Sequence, residues 1–363
     1  MSGPARTGIA NLPLHGGKAP RWLFERMVKL AREITTVIIE DYGPEEMLVR
    51  LSHPYWFQAF GCILGFDWHS SGVTTTVCGA LKEGIKGREK DLGLFVAGGK
   101  GAASRKTPSE LETWGNIVSL NPEPLVYASR MSAKVDSAAV QDGYQLYHHS
   151  FIFTKTGSWA VVQQGMNETN KYARRYHWLS TAVSDFVNEP HSAIASEAKG
   201  TTLNLVANES SSARETIAGI VKNEKPEAII LDLHKIKTLT LPKRHDLRTE
   251  DLHPDSLKKI LLSTYQNQPD DFTHLLGLPG VGAKTIRALS LISELVHGVA
   301  PSYRDPARYS FAHGGKDGIP YPVDRETYDR SIDLLRKAVG RSRISPFEKN
   351  DAEHRLGRLM RET

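Results

Sequence analysis

Cysteine is nearly missing from this sequence. Two residues in 363, Cys62 and Cys78, are too few for a disulfide framework or a four-thiolate zinc site. Both read as buried thiols in a reducing compartment. No apolar run approaches the roughly 18 residues of a membrane span, and the first residues lack the apolar centre of a signal peptide. A cytoplasmic protein with no membrane partner is expected. Internal repeats and low-complexity tracts are also lacking.

What is present is globular in character. The chain is 40% hydrophobic and 24% charged, which argues against wholesale disorder. Its length suits two or three domains. A formal charge of +5 suits a polyanionic partner without requiring one.

Hydrophobic spacing predicts a first helix from about Pro20, with Trp22, Leu23, Met27, Leu30, Ala31 and Ile34 recurring at helical intervals. Two further helical stretches are expected at 45–64 and 72–86, with Ser70 or Ser71 placed to cap the second. Residues 97–106, AGGKGAASRK, read as a flexible basic loop that lacks the spacing of a nucleotide-binding P-loop. Residues 144–153 and 158–164 are aromatic and β-branched, and Lys155-Thr156-Gly157 between them gives a β-hairpin signal. LNLVA at 203–207 suits another strand, and EAIILDL at 227–233 a strand or a short helix. Helix returns from about 254. The expected fold is α+β and mostly helical. It has an N-terminal helical region (1–105), a central strand-containing region (106–245) and a C-terminal helical domain (246–363).

The most informative stretch runs from Asp271 through Leu278-Pro279-Gly280-Val281-Gly282-Ala283-Lys284-Thr285 to Ile292. It predicts a helix ending near Gly277, a hairpin bent at Gly280 and Gly282, and a second helix from about Ala283. Leu278 and Val281 face the core. Free amides at the second helix start, with the helix dipole, form an anion site, and Lys284 and Arg287 add charge. A DNA partner is therefore expected, held through Gly280, Gly282, Lys284, Thr285 and Arg287. Such contacts are to phosphate, so binding should be sequence-tolerant.

This run resembles the helix-hairpin-helix of base-excision DNA glycosylases of the endonuclease III superfamily. The resemblance covers about 40 residues and places Lys284 where bifunctional members carry the lysine that attacks C1′ of the damaged nucleotide. The family's supporting aspartate falls at Ser302 here, and the nearest carboxylate is Asp305. The four-cysteine iron–sulfur cluster of some relatives cannot exist in this chain. Over its full length the sequence resembles a prokaryotic family known as domain of unknown function 763. The strings that carry this are Gly65-Phe66-Asp67-Trp68-His69-Ser70-Ser71-Gly72, Gln141-Asp142-Gly143, Gln163-Gln164-Gly165-Met166-Asn167, Ala173-Arg174-Arg175-Tyr176-His177-Trp178 and 311–318, FAHGGKDG. That resemblance implies no activity.

Between Tyr127 and His191 polar and titratable groups are dense. Two chemistries suit them. In the first, Lys134, two residues before Asp136 on an extended stretch, forms a Schiff base with an abasic aldehyde. Gln163, Gln164 and Asn167 then read an extruded base, and Tyr176 or Trp178 stacks on it. In the second, Asp136, Asp142, His148 and either Glu189 or His191 hold a magnesium or manganese ion for phosphodiester hydrolysis, although their spacing matches no metal motif. His148 and His149 should point to opposite faces of a strand, and Arg174 and Arg175 suit solvated phosphate contacts. The 314–318 loop, GGKDG, suits a lid or a plain turn.

The preferred reading is a DNA-repair enzyme with glycosylase or lyase chemistry and no cofactor. Its nucleophile is Lys134 or Lys284, and its supporting carboxylate Asp136 or Asp305. A metal-dependent nuclease and a non-enzymatic DNA-binding factor are the alternatives. Oligomeric state is open.

Overall fold

The structure, a computed structural model, describes residues 19–66, 72–196, 198–239, 241, 254–308 and 325–362. Ser70, Ser71 and the 314–318 loop lie outside the described residues.

The N-terminal helices follow from apolar spacing and proline punctuation. In α1 (Arg21–Tyr42) the buried residues Met27, Leu30, Ala31, Ile34 and Ile38 form one stripe. Gly43 ends α1, and proline in the first turn starts both α2 (Pro44–Ser52) and α3 (Pro54–Leu64). Every residue of α3 is buried, as expected for a helix that is apolar all round. α4 (Val73–Ile85) packs back on α1, and the short α5 (Glu89–Leu92) leads into the sheet.

The sheet is antiparallel and five-stranded, in the order β1-β3-β4-β5-β6. Its members are β1 (Leu94–Lys100), β3 (Gln145–Thr154), β4 (Trp159–Met166), β5 (Ala173–Leu179) and β6 (Ala193–Ser196). A separate two-residue pair joins β2 (Val140–Gln141) to β7 (Leu203–Asn204). The hairpin expected at 144–164 is β3–β4, with Phe153 opposite Trp159.

Two sequence expectations change, at 97–106 and 203–207, and one left open, at 227–233, resolves as helix. Residues 97–106 are not a flexible loop: Leu94–Lys100 is the edge strand β1, and 101–106 form a 3-10 turn. Gly98 belongs there because a side chain would not fit. With φ at +84°, a Cβ would lie 2.3 Å from the His149 carbonyl oxygen. Residues 227–233 lie in helix α9 (Pro226–Lys237), and within 203–207 only Leu203 and Asn204 are extended as a strand.

Helices cover both faces of the sheet. On one face Leu94, Val96, Ile152, Ala160 and Val162 join the core of α1–α4. The C-terminal helices α13 (Arg325–Arg341) and α14 (Pro346–Glu362) complete that layer through Leu335, Val339 and Leu356. On the other face Phe95, Phe151, Phe153, Val161 and Trp178 pack with residues of α6 (Thr107–Val118), α7 (Glu123–Lys134), α8 (Ser211–Asn223), α9, α10 (Pro254–Asn267), α11 (Phe272–Gly277) and α12 (Ala283–Leu295). The fold is thus α+β and mostly helical, with a central sheet and helices at both ends. Its layers cut across the divisions at 105 and 245, because β1 pairs with β3 and α13–α14 pack on the N-terminal helices. Among the described residues no helix is long and apolar enough to cross a membrane.

Candidate functional site

Helix α11 is capped by Asp271, whose carboxylate accepts the His274 amide at 2.7 Å, and ends at Gly277. The turn 278–282 then leads into α12. Gly280 is exposed and holds φ at +82°, a left-handed conformation that disfavours any side chain. Gly282 differs from expectation. Its backbone is extended and a Cβ there would meet nothing within 4 Å, so the bend itself rests on Gly280. Val281, Ile286, Leu289, Leu291 and Ile292 are buried, as their spacing requires, and Leu278 packs partly buried against the same core.

The carbonyls around this turn are drawn inward. Lys134 Nζ donates to the carbonyl oxygens of Leu278 and Val281, both at 2.8 Å. Gln141 Nε2 donates to the Ala283 carbonyl, while Arg287 Nε donates to Gln141 Oε1. No side chain caps the start of α12, so its first amides keep their donor capacity. Lys284 is exposed, Thr285 is buried, and Arg287 is half-buried against Gln141.

Lys134 does not share a strand face with Asp136. It ends α7, and a π-helical turn, Val135–Ala139, carries Asp136 away into the sheet-facing interior. Burial lowers the Lys134 pKa. Lys134 lines a cavity of about 710 Å³ along α7, with Tyr127, Arg130, Glu112 of α6 and Gly277 at the end of α11.

Asp136 is fully buried at the centre of a polar chain. Its Oδ2 accepts Gln163 Nε2 at 2.5 Å and Trp178 Nε1 at 2.9 Å, and its Oδ1 lies 2.5 Å from His191 Nε2. Gln163 Oε1 is 2.8 Å from His149 Nδ1, and His149 Nε2 is 2.9 Å from Ser129 Oγ. Burial lowers the His149 pKa, which the Gln163 bond and Asp136 only partly offset.

A second network surrounds Arg174, which is 1% exposed. Its guanidinium meets Asp142 at 2.9 Å and Asp305 at 2.7 Å, and Tyr176 donates its hydroxyl hydrogen to Asp142 at 2.6 Å. Burial raises the Asp142 pKa against the pull of Arg174. Asp305 therefore does not face the hairpin. It ties residues 198–200 and 305–307 to the sheet by accepting the Gly200 and Ala307 amides. Ser302, the aligned position, is buried and bonded to Glu209, Ser210 and Asn204.

Strand alternation sends the neighbour Arg175 to the opposite face. There it donates to His177 Nε2, Gln58 Oε1 and the Pro54 carbonyl, and stacks over Phe57. Both arginines are interior braces and not solvated phosphate contacts. His148 and His149 do point to opposite faces. His148 Nε2 bonds Ser150, and burial pushes its pKa down to about 3.

The expected base pocket does not assemble. Tyr176 and Trp178 are fully buried with their polar tips turned to Asp142 and Asp136, so neither offers a ring face to a base. Gln164 bonds Tyr147, and Asn167 holds the β4–β5 turn by accepting the Thr169 and Asn170 amides. Asp136, Asp142 and His148 fall in three separate networks. Among the described residues no three His, Cys, Asp or Glu side chains group to hold a metal ion.

The sequence alone assigns no role to Ser129 or His149, and offers His191 only as an alternative metal ligand, where the structure pairs it with Asp136. The signal for Ser129 was its place on the apolar stripe of α7, with Leu125, Ala128 and Ser132, where a hydroxyl needs an interior partner.

No curated protein and no solved structure matches the chain. A family does, over residues 8–323 of the 363, and its description is "Protein of unknown function (DUF763)". With most of its length covered, the chain belongs to the DUF763 family.

Proposed function

We propose that the protein binds DNA by holding the sugar–phosphate backbone at the α11–turn–α12 unit, a helix-hairpin-helix like that of endonuclease III-type glycosylases. The observation that carries this reading is the polarity of the turn. Its carbonyls are satisfied inward by Lys134 and Gln141, its exposed bend is Gly280, and α12 starts without a side-chain cap beside exposed Lys284. A phosphate oxygen would complete those amides and gain from the helix dipole. Titration of the full-length protein with a labelled duplex, at several salt concentrations, tests it. Binding that weakens steeply with salt is expected. No binding to duplex or single strand at low ionic strength overturns it.

One observation favours abasic-site lyase chemistry on the bound strand, with Lys134 in preference to Lys284 as the amine. Lys134 lines the cavity beside the turn and has its pKa lowered by burial, whereas Lys284 is exposed. A neutral amine there would attack the C1′ aldehyde and release water as the imine forms. Borohydride trapping on abasic duplex in EDTA is the test, with loss of the adduct in K134M but not in K284Q. An adduct that survives K134M removes Lys134 from the role.

A further inference from the structure

A second cavity along α7, of about 300 Å³, has Ser129, His149 and Gln163 in its wall, with Arg105 and Arg130 lining it too. Arg130 and Ala133 also line the larger cavity, so α7 is a wall of both. Ser129 and His149 are 4% and 6% exposed, so only a molecule small enough to enter this recess reaches them.

The hydrogen bonds fix the direction of the chain. Gln163 Nε2 lies near two acceptors, Asp136 Oδ2 and the Ser132 carbonyl, so the amide cannot be turned round without setting oxygen against oxygen. Gln163 Oε1 is then the acceptor, and His149 must carry its proton on Nδ1. That leaves the Nε2 lone pair to accept the Ser129 hydroxyl hydrogen at 2.9 Å. A hydroxyl within hydrogen-bond reach of an imidazole, itself oriented by a third group, is the arrangement of an activated nucleophile. Burial keeps the resting His149 ring neutral, so its Nε2 lone pair is unprotonated, while Asp136 behind Gln163 favours the charge that forms in transit.

Arg105 and Arg130 are both exposed and, among the described residues, neither has an acidic partner. Guanidinium groups match the oxygens of a phosphoryl group and stabilise charge that grows on them during displacement.

We propose that Ser129 and His149 form a hydrolytic site for phosphate esters, with Arg105 and Arg130 binding the phosphoryl oxygens. Ser129 Oγ forms a bond to phosphorus while His149 Nε2 takes the hydroxyl proton. The phosphorus–oxygen bond to the leaving alcohol breaks, and that alcohol leaves with the proton from His149. Water, deprotonated in turn by His149, displaces Ser129 and restores the hydroxyl. Gln163 and Asp136 act as positioning residues through His149. The site stands on its own geometry and not on DNA binding at the turn.

A fluorophosphonate probe tests the nucleophile directly on the full-length protein in EDTA. An adduct on the Ser129 peptide is expected by mass spectrometry, none in S129A, and labelling slowed a hundredfold or more in H149Q. Bis(p-nitrophenyl) phosphate should be hydrolysed, with KM raised in R105A and R130A, two exposed positions where folding is not at risk. The proposal is overturned by a folded protein that gives no Ser129 adduct, or by labelling that H149Q leaves unchanged. Hydrolysis of p-nitrophenyl acetate with the phosphate diester untouched would overturn the phosphate-ester assignment. None of these readouts requires DNA, so their failure is separate from failure of duplex binding.

Discussion

Lys134 reaches across from the end of α7 to place its Nζ 2.8 Å from the Val281 carbonyl, 147 residues further along the chain. The same nitrogen accounts for the Leu278 carbonyl, so one side chain sets which polarity the turn presents outward. K134M keeps the stem and removes the donor. Two partly buried carbonyls then lose their partner, which should cost about 1–3 kcal/mol of unfolding free energy. Duplex affinity should fall with it, because the turn is no longer braced. Urea unfolding and duplex titration measure the two effects, and unchanged values in both would show that Lys134 braces nothing.

Lys284 makes the complementary case, since it is exposed and, among the described residues, bonded to no neighbour. K284Q should leave stability unchanged within about 0.5 kcal/mol. It should weaken duplex binding evenly across sequences and reduce the magnitude of the salt slope by about one. G280A differs, because φ at +82° forces a side chain into the left-handed region at about 1–2 kcal/mol. Loss of affinity in G280A together with an unaltered salt slope would place the effect in the bend and not in charge.

The sequence made β3 and β4 legible because aromatic and β-branched residues fill them. It concealed β1, where Gly98 and Gly99 look like loop, yet Gly98 serves the close approach to the His149 carbonyl. The helix at 226–237 was ambiguous from EAIILDL alone. Pro226 at its first turn and the stripe Ile229, Leu233, Ile236 decide it. The turn at 278–282 could be read because its glycine and flanking apolar residues are local. The Ser129–His149–Gln163–Asp136–His191 chain could not, since its members come from α7, β3, β4, a π-helical turn and a loop. Arg174-Arg175 misled for the same reason. Adjacent positive charges suggest a surface, but strand alternation buries one on each side of the sheet.

Arg174 sits between two carboxylates in the interior, so its loss should be severe. R174M leaves Asp142 and Asp305 buried near each other without a cation, at a cost of about 3–5 kcal/mol. D305N should cost less, because the amide oxygen can still accept from the Gly200 amide and Asp142 still pairs with Arg174. Borohydride trapping, if present, should survive D305N, since Asp305 is bonded to Arg174 and not to the turn. Loss of trapping in a folded D305N protein would return Asp305 to the lyase reading.

Three interior histidines make the fold acid-sensitive. Burial holds His148 down to about 3, and lowers His149 and His177 below the ordinary value as well. In the unfolded chain each titrates near about 6.5. The unfolded state therefore binds more protons than the fold once pH drops below that value. The stability these rings contribute is fully present above about pH 6.5 and is lost progressively toward the folded values, by at most about 1.4 kcal/mol per pH unit for each ring. Chemical unfolding at pH 8, 7, 6 and 5 should give a plateau and then a decline. H148Q should lessen the slope, because the Ser150 hydroxyl keeps an amide partner while the titrating group is gone. A wild-type curve that stays level from pH 7 to 5 would mean that these imidazoles take up protons inside the fold, against what their burial dictates.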